Sequence, residues 1–209
     1  MAIKAIVFDI GDVLQIGKRS RKSIDGHHLL GIHYFIAKKL KISLDQYFDS
    51  IDITYAKSIE GTIPEKKALK ILANNLRISV KKLRILFVGA YKRNFKFNTF
   101  LFKQAIKLKK EGYKIAILSD QWYLSRDALF STKLKKEFKP AIISCNVGVR
   151  KPNLKSYRLL LKKLNLPAKN CLFIDNQEWN LKPARKLGMK TILYKNNKQL
   201  FKQLSKKLK

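Results

Sequence analysis

Two hydrophobic periods alternate along most of the chain. Short apolar runs at residues 4–8, 113–119, 141–145, 170–175 and 190–194 are bounded by turn-forming or charged residues. Runs of this length and flanking read as buried strands. Between them, at residues 99–111, 122–130, 154–164 and 180–187 and again towards the C-terminus, apolar positions recur every three or four residues. That is the spacing of a helix with one buried face. Gly112 and Gly188 stand where the helices before them should end. From residue 29 to about 89 the alternation stops and only the helical period remains. Ile32, Phe35, Ile36 and Leu40 form one apolar face, and Leu44, Tyr47, Phe48 and Ile51 form a second. Ser43 is placed to cap the second helix, Thr62 to cap a third through Pro64 and Glu65, and Ser79 to open a fourth with Leu83, Leu86 and Phe87.

Strand and helix alternating with short connections build a parallel sheet covered on both sides. The expected fold is therefore α/β, a Rossmann-like parallel sheet of about five strands with helices on both faces, interrupted by an inserted all-helical block. Residues 1–14 and 90–209 are expected to form the α/β core, and residues 15–89 the inserted domain. A chain of 209 residues with 46% hydrophobic content can fill such a core. No apolar run reaches the ~20 residues that span a bilayer. The first strand follows Met1-Ala2 directly, with no basic, apolar and cleavage regions ahead of it, which points to the cytoplasm. The two cysteines, Cys145 and Cys171, lie in or beside apolar runs and are expected as buried thiols. No spacing suggests zinc.

Charge adds a second consideration. Lys and Arg total 46 against 14 Asp and Glu, a formal net charge of +32. A field of that sign attracts nucleic acid and steers phosphorylated substrates. The basic residues are spread over nearly every predicted helix, with an exposed basic loop expected at residues 18–22 and the richest patch at 195–209. No stretch interleaves aromatics and glycines as an RNA-binding sheet does. Nonspecific, salt-sensitive nucleic-acid binding is expected, and a dedicated nucleic-acid function is not.

The candidate chemistry sits at the C-terminal ends of predicted strands, where open α/β sheets bind ligands. Asp9 ends Ile6-Val7-Phe8, and Gly11, two places on, is expected to turn the chain sharply. Ser119 ends Ile115-Ala116-Ile117-Leu118. Lys151 lies in Gly148-Val149-Arg150-Lys151-Pro152, just before a helix. Asp175 ends Cys171-Leu172-Phe173-Ile174 and is followed by Asn176. Singly, each is explained by a cap or a surface charge. Together they place a nucleophile, a hydroxyl donor, a cation and an acid on successive strand ends.

In this order the residues resemble the motifs of the haloacid dehalogenase-like (HAD) hydrolase superfamily, in its helical-cap, phosphatase-like form. Phe8-Asp9-Ile10-Gly11-Asp12-Val13-Leu14 is similar to the first motif and Leu118-Ser119-Asp120 to the second. Arg150-Lys151-Pro152 is similar to the third, and Phe173-Ile174-Asp175-Asn176 with Asn180, Ala184 and Gly188 to the fourth and its trailing helix. The helical block resembles the cap set between the first two motifs, and Glu60-Gly61-Thr62-Ile63 a recurrent cap segment. The resemblance implies a Mg²⁺-dependent phosphatase of a small phosphorylated metabolite. Asp9 forms an aspartyl-phosphate, Ser119 and Lys151 stabilise the phosphoryl group, and Asp120 joins them in substrate binding. Asp9, the Gly11 carbonyl, Asp175 and Asn176 hold Mg²⁺, and the cap closes over the substrate.

The departures from the pattern carry information too. Phosphatases of the superfamily carry a second Asp two places after the nucleophile, as general acid and base, where this chain has Gly11. Some relatives share that glycine in a Phe-Asp-x-Gly-Asn-Val pattern. Asp12, next along, is a candidate replacement. Asn176 stands where the metal-binding second acid of the fourth motif is common, and Asp120 follows Ser119 in place of a frequent Asn; a helix cap is the plainer role for Asp120. Trp122, Tyr123 and Trp179 are expected to pack in the core or an interface. One alternative is a metal-independent dehalogenase-type hydrolase, with Arg19 or Arg21 gripping a substrate carboxylate. Another is a catalytically degenerate basic module that binds nucleic acid.

Overall fold

The computed structural model of the chain describes residues 2–18 and 29–208. The basic residues 19–22, including Arg19 and Arg21, lie outside the described residues, and Lys18 before them is exposed. The elements follow in order as β1 (Ala5–Phe8), β2 (Gln15–Gly17), α1 (Leu29–Leu40), α2 (Leu44–Ile59), α3 (Glu65–Asn75), α4 (Val80–Asn94), β3 (Phe95–Phe97), α5 (Thr99–Lys110) and β4 (Lys114–Ser119). Then come α6 (Tyr123–Leu129), α7 (Thr132–Glu137), β5 (Ala141–Ile143), α8 (Ser144–Val147), α9 (Leu154–Leu164), β6 (Cys171–Asp175), α10 (Glu178–Lys186), β7 (Lys190–Leu193) and α11 (Asn197–Lys207).

Five strands form one sheet in the order β5-β4-β1-β6-β7, with every pairing parallel. The central strand β1 is wholly buried, as its unbroken apolar run requires. Successive side chains of a strand point to opposite faces. Ala5 and Val7 accordingly join Tyr157, Leu160, Leu181 and Ala184 of α9 and α10. Ile6 and Phe8 join Leu101, Ala105, Leu200 and Leu204 of α5 and α11 on the other side. That second cluster continues without a break into the inserted helices, through Trp122, Phe87, Tyr47 and Ile36. Phe8 is in register with Ile117 of β4 and Ile174 of β6, so Asp9, Ser119 and Asp175 emerge at the same edge of the sheet.

The helices α1 to α4 lie between β2 and β3, and α4 runs on to Asn94, past residue 89. Ser43 caps α2 in a reciprocal capping box with Gln46, and Ser79 caps α4 by accepting from Lys82 N. Thr62 does not cap α3. Gly61 adopts φ +67°, Gly61 N bonds Ser58 O, and Thr62 N bonds Lys57 O, the pattern that closes a helix C-terminus. Thr62 thus belongs to the end of α2, and Pro64 stands at the head of α3 without a side-chain cap.

The antiparallel ribbon of β2 and β3 carries the chain into and out of the insertion. Its three-residue strands are too short to show a period, and neither was expected. The strand expected at 141–145 stops at Ile143, because the Ser144 hydroxyl binds Gln121 N and the chain turns into α8. Cys145 and Cys171 are buried free thiols. Among the described residues no helix is long and apolar enough to cross a membrane.

Candidate active site

β1 ends by handing its last ladder bond to Asp9, whose N–H donates to Ile174 O at 3.0 Å. The Asp9 carboxylate therefore sits beside the tip of β6. One of its oxygens accepts from Ile10 N at 2.7 Å, and the other lies 3.0 Å from Lys151 Nζ. Lys151 reaches Asp175 on its far side at 2.7 Å, and its side chain is 1% exposed. A buried ammonium persists when paired, and this one is held between two carboxylates.

Asp175 has 0% exposure, and its oxygens also accept from Gln177 N at 2.8 Å and from Asn180 Nδ2 at 3.1 and 3.2 Å. Asn180 is fixed in turn by Tyr157, which donates to its backbone carbonyl at 2.7 Å. Asp175, expected as a metal ligand, orients Lys151 and the start of α10 through these bonds. Asn176, beside it, lines the open cavity.

Asp120 does not cap α6, whose N-cap is Trp122 without a side-chain bond. Its Oδ1 instead accepts the backbone N–H of Lys151 at 3.0 Å, and Arg150 Nε lies 3.7 Å from its Oδ2, too long for a hydrogen bond. The expected substrate-binding carboxylate thus ties the tip of β4 to the Lys151 loop. Ser119 is 1% exposed and accepts from Gln121 Nε2 at 3.1 Å.

Burial raises the Asp9 carboxyl from its ordinary 3.8 to about 7, and the nearby Asp175 adds to the rise. Lys151 and a hydrogen bond from Ser119 pull the other way without prevailing. For Lys151, burial works to lower the pKa, but Asp175, Asp9 and Asp120 together outweigh it and raise it well above an ordinary lysine. Burial likewise raises Asp120.

The turn after the nucleophile differs from expectation. Asp12 adopts the left-handed conformation at φ 54°, which a short polar side chain tolerates, and Gly11 does not. Asp12, expected as a candidate replacement acid, lines the cavity, and its Oδ1 accepts from Gly17 N at 2.9 Å in the turn into β2. A Cβ placed on Gly11 would meet nothing within 4 Å.

Above these residues lies an open cavity of about 750 Å³. Asp9, Gly11, Asp120, Gln121 and Asn176 form its floor side, Tyr55, Ile59 and Tyr91 face it from the insertion, and Arg150 and Lys195 bring positive charge. Sequence reasoning missed Gln121, Tyr55 and Tyr91. Only the Gln121 position, two after Ser119, offered a signal. Trp122 packs as expected, buried with its indole N–H on Tyr91 Oη at 2.9 Å, and the Tyr123 hydroxyl donates to Ile63 O at 2.7 Å. Trp179, expected to pack, is 56% exposed.

Among the described residues no cluster of three or more His, Cys, Asp or Glu is arranged to hold a metal. The cavity does bring together the Asp9 carboxylate, Gly11 and the Asn176 amide. A set of oxygen donors with one charge fits Mg²⁺, which keeps several of its waters and needs one or two carboxylates.

Comparison with known proteins agrees with this geometry. The chain is 32% identical to bifunctional epoxide hydrolase 2 of Mus musculus over 173 residues, 80% of this chain and 29% of that protein, so it spans under a third of that relative's length. It is 24% identical to glyceraldehyde 3-phosphate phosphatase of Methanocaldococcus jannaschii over 211 residues, 91% of this chain and 84% of that one. A HAD family enzyme of Bacteroides thetaiotaomicron, crystallised with magnesium and inorganic phosphate, superposes with a TM-score of 0.72 at 19% identity, covering 96% of this chain and all (100%) of its own. The family model of the haloacid dehalogenase-like hydrolases matches residues 3–188. The chain belongs to the haloacid dehalogenase-like hydrolase family.

Proposed function

We propose that this hydrolase is a Mg²⁺-dependent phosphatase of a small phosphorylated metabolite that works through an aspartyl-phosphate on Asp9. The observation that carries the reading is the buried Lys151 ammonium, fixed between Asp175 and Asp9, the latter lining an open cavity. It places one nucleophilic carboxylate next to a fixed positive charge and a hydroxyl donor, as transfer of a dianionic phosphoryl group requires. Kinship with a glyceraldehyde 3-phosphate phosphatase, and the magnesium and phosphate bound by the Bacteroides enzyme, support it.

Asp9 attacks phosphorus, and the substrate's ester oxygen leaves with a proton taken from water. A second water then cleaves the aspartyl-phosphate, returning the carboxylate and releasing inorganic phosphate. Lys151 balances the charge of nucleophile and phosphoryl oxygens, and Ser119 donates a hydrogen bond to one of them. Asp175 and Asn180 hold Lys151 in place, and Asp120 holds its backbone. Asp9, the Gly11 carbonyl and Asn176, with Asp175 beside them, would hold Mg²⁺, which would supply positive charge to the phosphoryl oxygens. With Gly11 in place of an acid, no side chain at that position shuttles the proton. General acid–base help is worth ~10²–10⁴-fold, so turnover is slow for the family. The inserted helices act as the cap, with Tyr55, Ile59 and Tyr91 facing the leaving group.

The test is hydrolysis of a generic aryl phosphate by purified protein, with Mg²⁺ or with chelator, beside Asp9→Asn. Turnover that needs both the metal and Asp9 is the expected result. Release of halide from a 2-haloacid, unaffected by chelator, would sink the phosphatase reading.

A further inference from the structure

We propose that Gln121 is a positioning residue for phosphoryl transfer: its amide N–H, donated to Ser119 Oγ, directs the Ser119 hydroxyl proton towards Asp9 and the phosphoryl oxygen. The assignment rests on the phosphatase reading and extends it to a residue outside the four motifs.

A serine hydroxyl has one proton to give and lone pairs to accept with. If nothing occupies the lone pairs, the hydroxyl rotates among whatever acceptors surround it. In this site Gln121 Nε2 lies 3.1 Å from Ser119 Oγ, and both residues are buried, at 5% and 1% exposure. An amide N–H can only donate, so Ser119 must accept from it and keeps its own proton for another partner. The Asp9 carboxylate, at the tip of the neighbouring strand β1, is the acceptor we assign to that proton. An ionised carboxylate only accepts. The chain of donation thus runs in one direction, from Gln121 through Ser119 to the nucleophile, and a phosphoryl oxygen arriving over Asp9 meets a hydroxyl already turned to donate. Preorganised donors of this kind cost no reorientation when charge develops.

The backbone of Gln121 is held independently of its side chain. Ser144 Oγ accepts from Gln121 N at 3.0 Å and donates to Gln121 O at 3.2 Å. Exchange of the side chain therefore leaves the loop anchored. Gln121 also lines the cavity.

The experiment compares Gln121→Leu, Gln121→Glu, Ser119→Ala and the Ser119→Ala/Gln121→Leu double variant, using aryl phosphate turnover and binding of inorganic phosphate in Mg²⁺. Thermal melts confirm that each variant folds. Ser119→Ala should lower kcat by ~10²-fold, as loss of one transition-state donor does. Gln121→Leu should lower kcat by roughly 10-fold with little change in KM, the size of one lost hydrogen bond. Gln121→Glu should approach Ser119→Ala, because a carboxylate there captures the hydroxyl proton.

The double variant should be no worse than Ser119→Ala alone, since Gln121 has nothing left to position. Multiplying losses in the double variant would show that Gln121 acts elsewhere, and a Gln121→Leu enzyme as active as wild type would overturn the assignment outright. Either result leaves the phosphatase reading standing if wild type turns over. Wild type that neither hydrolyses aryl phosphate nor binds inorganic phosphate would overturn both.

Discussion

Asp9 holds its proton more tightly in the folded chain than in the unfolded one, because burial raises it from 3.8 to about 7. Between those values the folded state carries the extra proton. Stability measured in chelator is therefore highest on the acid side of this window and falls as the pH rises towards 7. Asp9→Asn, neutral at every pH, should flatten that slope while abolishing turnover. Melts of both proteins across the pH range check the slope. An unchanged slope would mean that Asp9 titrates normally. The open space at Gly11 gives a second prediction. A Cβ at Gly11 meets nothing within 4 Å, and Gly11→Asp should raise kcat for aryl phosphates by ~10²-fold or more if only a proton shuttle is missing. Equal or lower activity would place the slow step elsewhere. The strand-end positions of Asp9, Ser119 and Asp175 were legible because each follows an apolar run, and Lys151 because it stands in Arg150-Lys151-Pro152 just before a helix. The contacts of Asp120, Asp12 and Gln121 were not, because each depends on a partner brought near by the fold: the Lys151 loop, the turn into β2, and the Ser119 hydroxyl.

At the level of elements, the inserted helices are fastened to the α/β core by more than apolar contact. Arg126 of α6 bonds Glu65 of α3 at 2.9 Å and Asn146 of α8 at 3.0 Å, and Arg84 of α4 pairs with both Glu65 and Asp127. Closest of all is the turn after α2. A Cβ on Gly61 would lie 2.9 Å from Cys145 O and 3.1 Å from the Gly148 backbone, at a φ of +67° that already favours glycine. Gly61→Ala should thus cost more than ~1 kcal/mol from conformation alone, with the backbone clash added. It should lower both Tm and activity, whereas Gly11→Ala should leave Tm nearly unchanged; equal melts for the two would refute the close approach. The major helices were readable from their three-and-four spacing, and the sheet strands from their short apolar runs. The β2–β3 ribbon was not, since three residues show no period. Nor was the true end of α2, since Thr62 beside Pro64 imitates a helix start while completing a helix end.

For the whole molecule, a formal charge of +32 acts on any anion, at the site or away from it. Salt should separate the two. Duplex DNA or RNA should bind at low ionic strength and be released steeply as salt rises, because such binding is driven by counterion release. Aryl phosphate turnover should persist at high salt, with kcat/KM reduced only modestly by screening of long-range attraction. Turnover that vanished in step with nucleic-acid release would contradict that separation.

The apolar cluster that runs unbroken from Phe8 in the sheet through Trp122 to Phe87 and Tyr47 in the inserted helices also bears on how the chain comes apart. Heat cannot melt the helices first and leave the sheet intact, for the two share one interior. Calorimetry should record a single endotherm, with equal calorimetric and van't Hoff enthalpies. Phosphate bound at the sheet's edge would then protect helices it does not touch.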